Sequence, residues 1–188
     1  MTTDRRTLMQ LALLAGAFTA LPATASAAPA TAATTPPGDF DWLHGSWRVR
    51  HRRLKTRLAN KHEWQAFDGT CVCQPLLGGL GNVDDNWLDL PAGAYRGVGL
   101  RAYDPKSRTW AIWWLDDRNP HALDVPVIGR FENGVGTFLA DDALDGTPVK
   151  LRFLWLDTDT DTPRWEQALS ADGGESWETN WTMDFERA

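Results

Sequence analysis

RWEQALSADGGESWETNWTMDFER, residues 164–187, reads as two strands joined by one glycine-rich turn. From Trp177 onward the odd positions are Trp177, Thr179, Trp181, Met183 and Phe185; the even ones are Glu178, Asn180, Thr182, Asp184 and Glu186. Side chains alternate across a strand, so this pattern predicts one buried and one wet face. The preceding arm continues it, with Trp165, Gln167 and Leu169 on one side. Folding back through Ser170–Ser176 sets Leu169 opposite Trp177, Gln167 opposite Thr179 and Trp165 opposite Trp181. The shared face then carries three tryptophans and two polar groups, a pattern suited to a curved sheet around an interior.

The same alternation recurs near the start of the chain. In Ser46–Arg53, Trp47, Val49, His51 and Arg53 lie on one side and Arg48, Arg50 and Arg52 on the other. Between the two ends, further strands are predicted at roughly 62–73, 79–88, 95–103, 109–115, 126–131, 135–140 and 148–156. Turn signals separate them: Gly78-Gly79, Pro91-Ala92-Gly93, Asp104-Pro105-Lys106-Ser107, Glu132-Asn133-Gly134 and Asp145-Gly146. Asp39–Leu43 fits a short helical turn with Asp39 as its N-cap and Gly45 ending it. About ten short strands and no long helical pattern predict an all-β domain over residues 39–188, either a barrel or a sandwich.

Charge favours a single antiparallel up-and-down barrel. The outer face of the first strand is basic at Arg48, Arg50 and Arg52, and that of the last is acidic at Glu178, Asp184 and Glu186. Pairing the two strands closes the sheet and sets opposite charges across from one another, worth roughly 0.2–1 kcal/mol each. Closure also removes the open edges on which sheets aggregate.

The first residues read as an address. Asp4-Arg5-Arg6-Thr7-Leu8-Met9 precedes an apolar run, Leu11–Leu21, and then a small-residue cleavage site, Ala25-Ser26-Ala27. Residues 1–27 are therefore expected to be a cleaved leader too short to span a bilayer. The paired arginines resemble a twin-arginine export signal, with the general secretory pathway as the alternative. Residues 28–38, rich in Ala, Thr and Pro, read as a disordered spacer. The mature protein is expected to be secreted or held in the cell envelope, without membrane insertion.

The whole sequence carries a net charge of −6; removing Asp4, Arg5 and Arg6 with the leader takes away a net +1 and leaves −7. Nucleic acid is a poor match for so acidic a chain. Cys71 and Cys73, two apart, would point to one face of a strand with α-carbons about 6.6 Å apart, at the edge of bridging geometry. Buried thiols acting as small apolar side chains are preferred to a disulfide.

Eleven tryptophans in one small domain are the strongest compositional signal. Indoles offer broad apolar faces and one N–H donor, which suits aromatic, lipophilic or sugar ligands. The expected ligand-binding residues are His51, Arg53, Arg101, Trp114, Trp165, Gln167, Thr179 and Trp181. If the chain is an enzyme, His51 is the acid or base and Arg53 or Arg101 stabilises an anion. No metal site is expected, because His44, His51, His62 and His121 lack paired spacing. Asp157, Asp159 and Asp161 begin like a calcium loop but lack its sixth-position glycine and its final Glu. Ser170-Ala171-Asp172-Gly173-Gly174-Glu175-Ser176-Trp177 resembles an Asp-box, a hairpin turn known from sialidases, and is read as a structural turn.

Gly45-Ser46-Trp47 resembles the Gly-x-Trp opening of lipocalins and other calycin barrels. Three segments, Phe40–Trp47, Pro75–Asn82 and Trp165–Gln167 with Glu178–Trp181, resemble an uncharacterised bacterial family, domain of unknown function 1579. That resemblance covers essentially the whole mature chain and implies a calycin-like barrel, with no established activity. Lipocalins, fatty-acid-binding proteins and nitrobindin are more distantly similar. Haem, as in nitrobindin, would want an inward histidine late in the chain, and none follows His121; no cofactor is expected. Three functions remain open: an exported, non-catalytic binder of a small apolar or aromatic molecule, an enzyme working in the same cavity, and a structural or interaction domain with a filled core.

Overall fold

Strands β1 (Gly45–Leu54), β2 (Trp64–Leu76), β3 (Gly81–Leu88), β4 (Tyr95–Asp104) and β5 (Thr109–Asp116) form the first half of the sheet in the computed structural model, which describes residues 37–188. The second half is β6 (Val127–Glu132), β7 (Val135–Leu144), β8 (Thr147–Leu156), β9 (Arg164–Ser170) and β10 (Glu178–Arg187). The expected leader, and the expected spacer up to residue 36, lie outside the described residues. Each strand pairs antiparallel with the next, and β1 pairs with β10, so the sheet closes as an up-and-down barrel. Tight turns set several hairpins: Asn133-Gly134 and Asp145-Gly146 hold both central residues at positive φ, as the preferred two-residue hairpin turn requires.

One of the expected charge pairs forms across the closing seam. Arg48 faces Glu186 and Arg50 faces Asp184 across the β1–β10 ladder, and Arg48 Nη2 lies 3.2 Å from Glu186 Oε1. Arg52 faces Thr182 rather than an acid, and Glu178 instead accepts a 2.7 Å hydrogen bond from the Leu58 amide.

The β9–β10 pairing differs from the sequence expectation. Thr179 pairs with Ala168 and Trp181 with Gln167, so Asn180 is an extra residue in β10. A bulge reverses the faces on either side of it. Beyond it Trp181, Met183 and Phe185 keep the inward face, with Trp165 opposite Met183 rather than Trp181. Before it Thr179 shares the outer face with Ala168. Trp177, expected inside, precedes the strand and packs outside, its Nε1 donating to the Gly174 carbonyl (3.1 Å) and the Arg152 guanidinium lying 4.5 Å from its ring.

The N-terminal turn is a single 3₁₀ turn, Asp41–Leu43. Asp39 does not cap it; its Oδ2 accepts from Trp110 Nε1 (2.9 Å). His44, not Gly45, occupies the C-cap, and Gly45 already belongs to β1. This turn plugs the barrel end formed by the start of β1 and the end of β10. Phe40 and Leu43 are fully buried. The Phe40 ring meets Trp110, Phe131 and Trp155 edge-on at 5.0–5.8 Å, a favoured aromatic arrangement. The backbone is tied in as well: Trp47 Nε1 donates to the Leu43 carbonyl (2.7 Å), and Arg187 donates to the carbonyls of Trp42 and His44.

Candidate functional site

Above the plug the barrel is hollow. A cavity of about 730 Å³ runs from the Trp155 ring towards the opposite end, within the roughly 300–1,000 Å³ of small-molecule sites. Its walls include Ile112, Trp114, Leu151, Phe153, Trp165 and Trp181. The Trp165 and Trp181 rings meet at 84° with centres 5.6 Å apart, and the edge of one closes the face of the other.

The mouth lies where the sheet is thinnest. β5 and β6 share only three pairs, from Trp110↔Gly129 to Ile112↔Val127, because β6 starts late. The upper ends of β5 and β7 therefore have no strand between them, and the segment 117–126 crosses this gap, with Asp124 N donating to the Trp114 carbonyl (3.0 Å). Asp116, Asn119, Asp124 and Asp142 line this side; Arg53, Lys55 and Arg57 line the other. Burial, with Asp142 and Asp116 nearby, raises the Asp124 pKa. Asp116 is held below the usual range, chiefly by its hydrogen bond from Arg118.

The polar groups of the floor come from β3 and β4. Asn82, Asp84 and Asn86 alternate along β3 and all three are buried. Arg101 Nη1 donates to Asn82 Oδ1 (3.0 Å) and to Asp84 Oδ2. Asp84 Oδ1 accepts from the Gly99 amide (3.0 Å) and Asn86 Nδ2. Two glycines make the space. A Cβ on Gly99 would sit 2.6 Å from Asp84 Oδ1, and one on Gly97 would sit 2.1 Å from the Trp114 ring. The Arg101 guanidinium lies between aromatic faces, 5.2 Å from the Phe40 ring centre and 5.3 Å from that of Trp155. Burial opposes its charge, but Asp84 and the neighbouring thiols keep its pKa above the ordinary value.

Six of the eight residues expected to bind ligand line this cavity: Arg53, Arg101, Trp114, Trp165, Gln167 and Trp181. Gln167 Nε2 is held by Asn180 Oδ1 (2.8 Å), and the Arg53 guanidinium lies 5.2 Å from the Trp181 ring centre. Thr179 is not among them, because the bulge turns it outward. Nor is His51. Its ring faces inward but is stacked on Phe67 (4.6 Å, 7°) and accepts at Nδ1 from Trp181 Nε1 (3.2 Å). Burial first, and Arg53 second, lower its pKa to about 3.

Asn82, Asp84, Asn86 and Trp155 were not singled out as site residues by the sequence reading. The available signal was the alternation Asn82-x-Asp84-x-Asn86 beside Gly97-x-Gly99-x-Arg101. A polar alternation alone reads as a solvated face; paired with a strand of alternating glycines it marks an inward face where large polar groups need room.

Cys71 and Cys73 are buried free thiols. Burial raises both pKa values, that of Cys73 to about 12, so neither is a ready nucleophile. The turn after β9 is closed by Asp172, which accepts from Ser170 Oγ, Ser176 Oγ and the Ser176 amide. These bonds hold its pKa well below the carboxylate range. Among the described residues no group of three or more His, Cys, Asp or Glu side chains is placed to hold a metal ion, and no helix is long and apolar enough to cross a membrane.

Fold and cavity together define a closed ten-stranded antiparallel barrel, consistent with a calycin-like fold, with a buried aromatic cluster and a hollow open at one end. No family model and no curated protein matches this chain.

Proposed function

We propose that the barrel binds a small apolar or aromatic molecule in its cavity and performs no chemistry on it. The observation that carries this reading is the indole-walled hollow of about 730 Å³ with a mouth at one end. A filled-core role fits such a volume poorly. The catalytic alternative needs His51 within reach of a substrate, whereas its ring lies behind Trp181 and Phe67 and stays neutral down to about pH 3. Membership of the domain of unknown function 1579 family, on the motifs quoted above, and export through the twin-arginine or general secretory pathway belong to the same proposal.

Titration with 1-aminoanthracene, a neutral fluorescent aromatic, tests the binding role. Saturable one-to-one binding with quenching of tryptophan emission is expected, and Leu151→Trp, which narrows the cavity, weakens it. Absence of binding by the wild type, or undiminished binding by a folded Leu151→Trp variant, would count against the cavity as the site. For export, Arg5→Lys with Arg6→Lys should leave the protein in the cytoplasm; continued export would exclude the twin-arginine route.

A further inference from the structure

Most charges around the hollow are matched, and the exceptions sit at its mouth. Arg101 pairs with Asp84, Arg118 with Asp116 and Lys55 with Glu63. Among the described residues Arg53, Arg57, Asp124 and Asp142 line the cavity and make no ion pair. Arg57, Asp124 and Asp142 are exposed, where solvent and salt screen a lone charge. Arg53 is half-buried, and a charge withdrawn from water is costly unless it is matched.

Its guanidinium lies in the opening rather than outside the wall. Arg53 stands opposite Trp181 in the closing ladder, and its guanidinium carbon is 5.2 Å from the centre of the Trp181 ring. Trp181 lines the hollow and turns its Nε1 to His51, so it offers Arg53 a ring face and no counter-charge. Tyr95 of β4, another lining residue, also senses this cation: burial raises its pKa, and Arg118 and then Arg53 oppose the rise. Strands β2 and β3 separate β1 from β4 in the wall. A β1 side chain that comes near both Trp181 and Tyr95 points into the barrel.

The unmatched charge decides what it would hold. An ammonium would add a second positive charge. A neutral carbonyl would accept a hydrogen bond but leave the cation unmatched. A carboxylate supplies lone pairs and the opposite charge, in the planar geometry that fits a guanidinium fork.

Resting on the binding role proposed above, we infer that the ligand is an aromatic or lipophilic carboxylic acid, bound as its anion with the carboxylate at Arg53. Its apolar body extends inward past Trp181 to Trp165. In register Trp165 lies opposite Met183, one inward position nearer the plug than Trp181, so the indole wall continues inward from the charge. Asp124 and Asp142, on the other side of the mouth, disfavour the carboxylate there and leave it the β1 side.

A naphthalene series tests this, because the body stays constant while the end group changes. 2-Naphthoate, 2-naphthamide, 2-naphthylmethylamine and 2-ethylnaphthalene are each competed against 1-aminoanthracene at pH 7. In the wild type 2-naphthoate should bind about tenfold or more tighter than 2-naphthamide, and the amine should bind weakest. The ratio of the naphthoate and naphthamide affinities is then read in each variant, so that a general loss of binding cancels. Arg53→Gln, its fold verified by thermal melting, should bring that ratio down to about one. Arg53→Lys, which keeps the charge and loses the fork, should retain part of it. Arg57→Gln, which removes the same charge from an exposed position, should change the ratio far less. A wild type that binds naphthoate no tighter than naphthamide would overturn the carboxylate assignment and leave the binding role standing. A ratio undiminished in folded Arg53→Gln, or lost equally in Arg57→Gln, would overturn Arg53 as the seat. Failure of all four compounds and of 1-aminoanthracene would overturn the binding role as well.

Discussion

At one end of the barrel Phe40, Trp42 and Leu43 fill the opening with aromatic and aliphatic surface; at the other, segment 117–126 spans a gap left by a strand that starts late. Both ends lie on one continuous ladder, so the difference is not in the sheet but in what the sheet is given to bury. The plug adds rings that meet edge-on and leaves no room. The mouth adds charged and small residues, with Leu123 and Val125 more than half exposed, and leaves the interior reachable. A closed barrel becomes a container only if its two ends are treated unequally.

The sharpest way to break this contrast is to remove the plug. Phe40→Ala should lower the unfolding free energy by about 3–5 kcal/mol, the usual loss for a fully buried phenylalanine, as read from chemical denaturation. A loss below about 1 kcal/mol would mean that the closed end is not a packed core.

Next in size is the pH response of His51, in the half of the barrel nearer the mouth. Folded His51 has its pKa lowered to about 3, whereas an unfolded histidine titrates near 6.5. The unfolded chain therefore takes up the proton first as pH falls. Stability from the neutral ring is complete above about pH 6.5 and declines by about 1.4 kcal/mol per unit below it. Between pH 6.5 and 4.5 the wild type should lose about 2–3 kcal/mol more than His51→Gln, measured by denaturation across that range. Parallel profiles would show that the imidazole is not sealed.

The seam is expected to matter less. Arg48→Ala removes a half-exposed ion pair with Glu186 and should cost no more than about 1 kcal/mol. Smallest of all, Leu123→Ser in the mouth segment should change stability by no more than about 0.5 kcal/mol. A larger loss there would make the mouth part of the core and erase the contrast.

Much of the container was legible from residues alone. Alternation in Ser46–Arg53 and in Trp181–Phe185 told inside from outside, because apolar and polar side chains changed places from Trp47 to Arg50 and from Trp181 to Phe185. The basic outer face of Arg48, Arg50 and Arg52 against the acidic one of Glu178, Asp184 and Glu186 indicated which strands meet. What stayed hidden needed one residue of backbone or a neighbour in space. A bulge at Asn180 leaves no trace in composition, yet it turned Thr179 outward. His51 was rightly placed on the inner face, but inward is not the same as accessible, and Phe67 and Trp181 cover it. On β3 the polar alternation of Asn82, Asp84 and Asn86 drew no reading, because alone it matches any solvated face, and only the seats provided by Gly97 and Gly99 reveal that it points to the hollow.

The most direct test of an indole-walled interior is ¹⁹F NMR of the protein labelled with 5-fluorotryptophan, recorded while 1-aminoanthracene is added. The resonances of Trp114, Trp155, Trp165 and Trp181 should move together on binding, while those of Trp87 and Trp177, outside the wall, stay in place. Movement at Trp87 and Trp177 with the inner four unchanged would contradict the account.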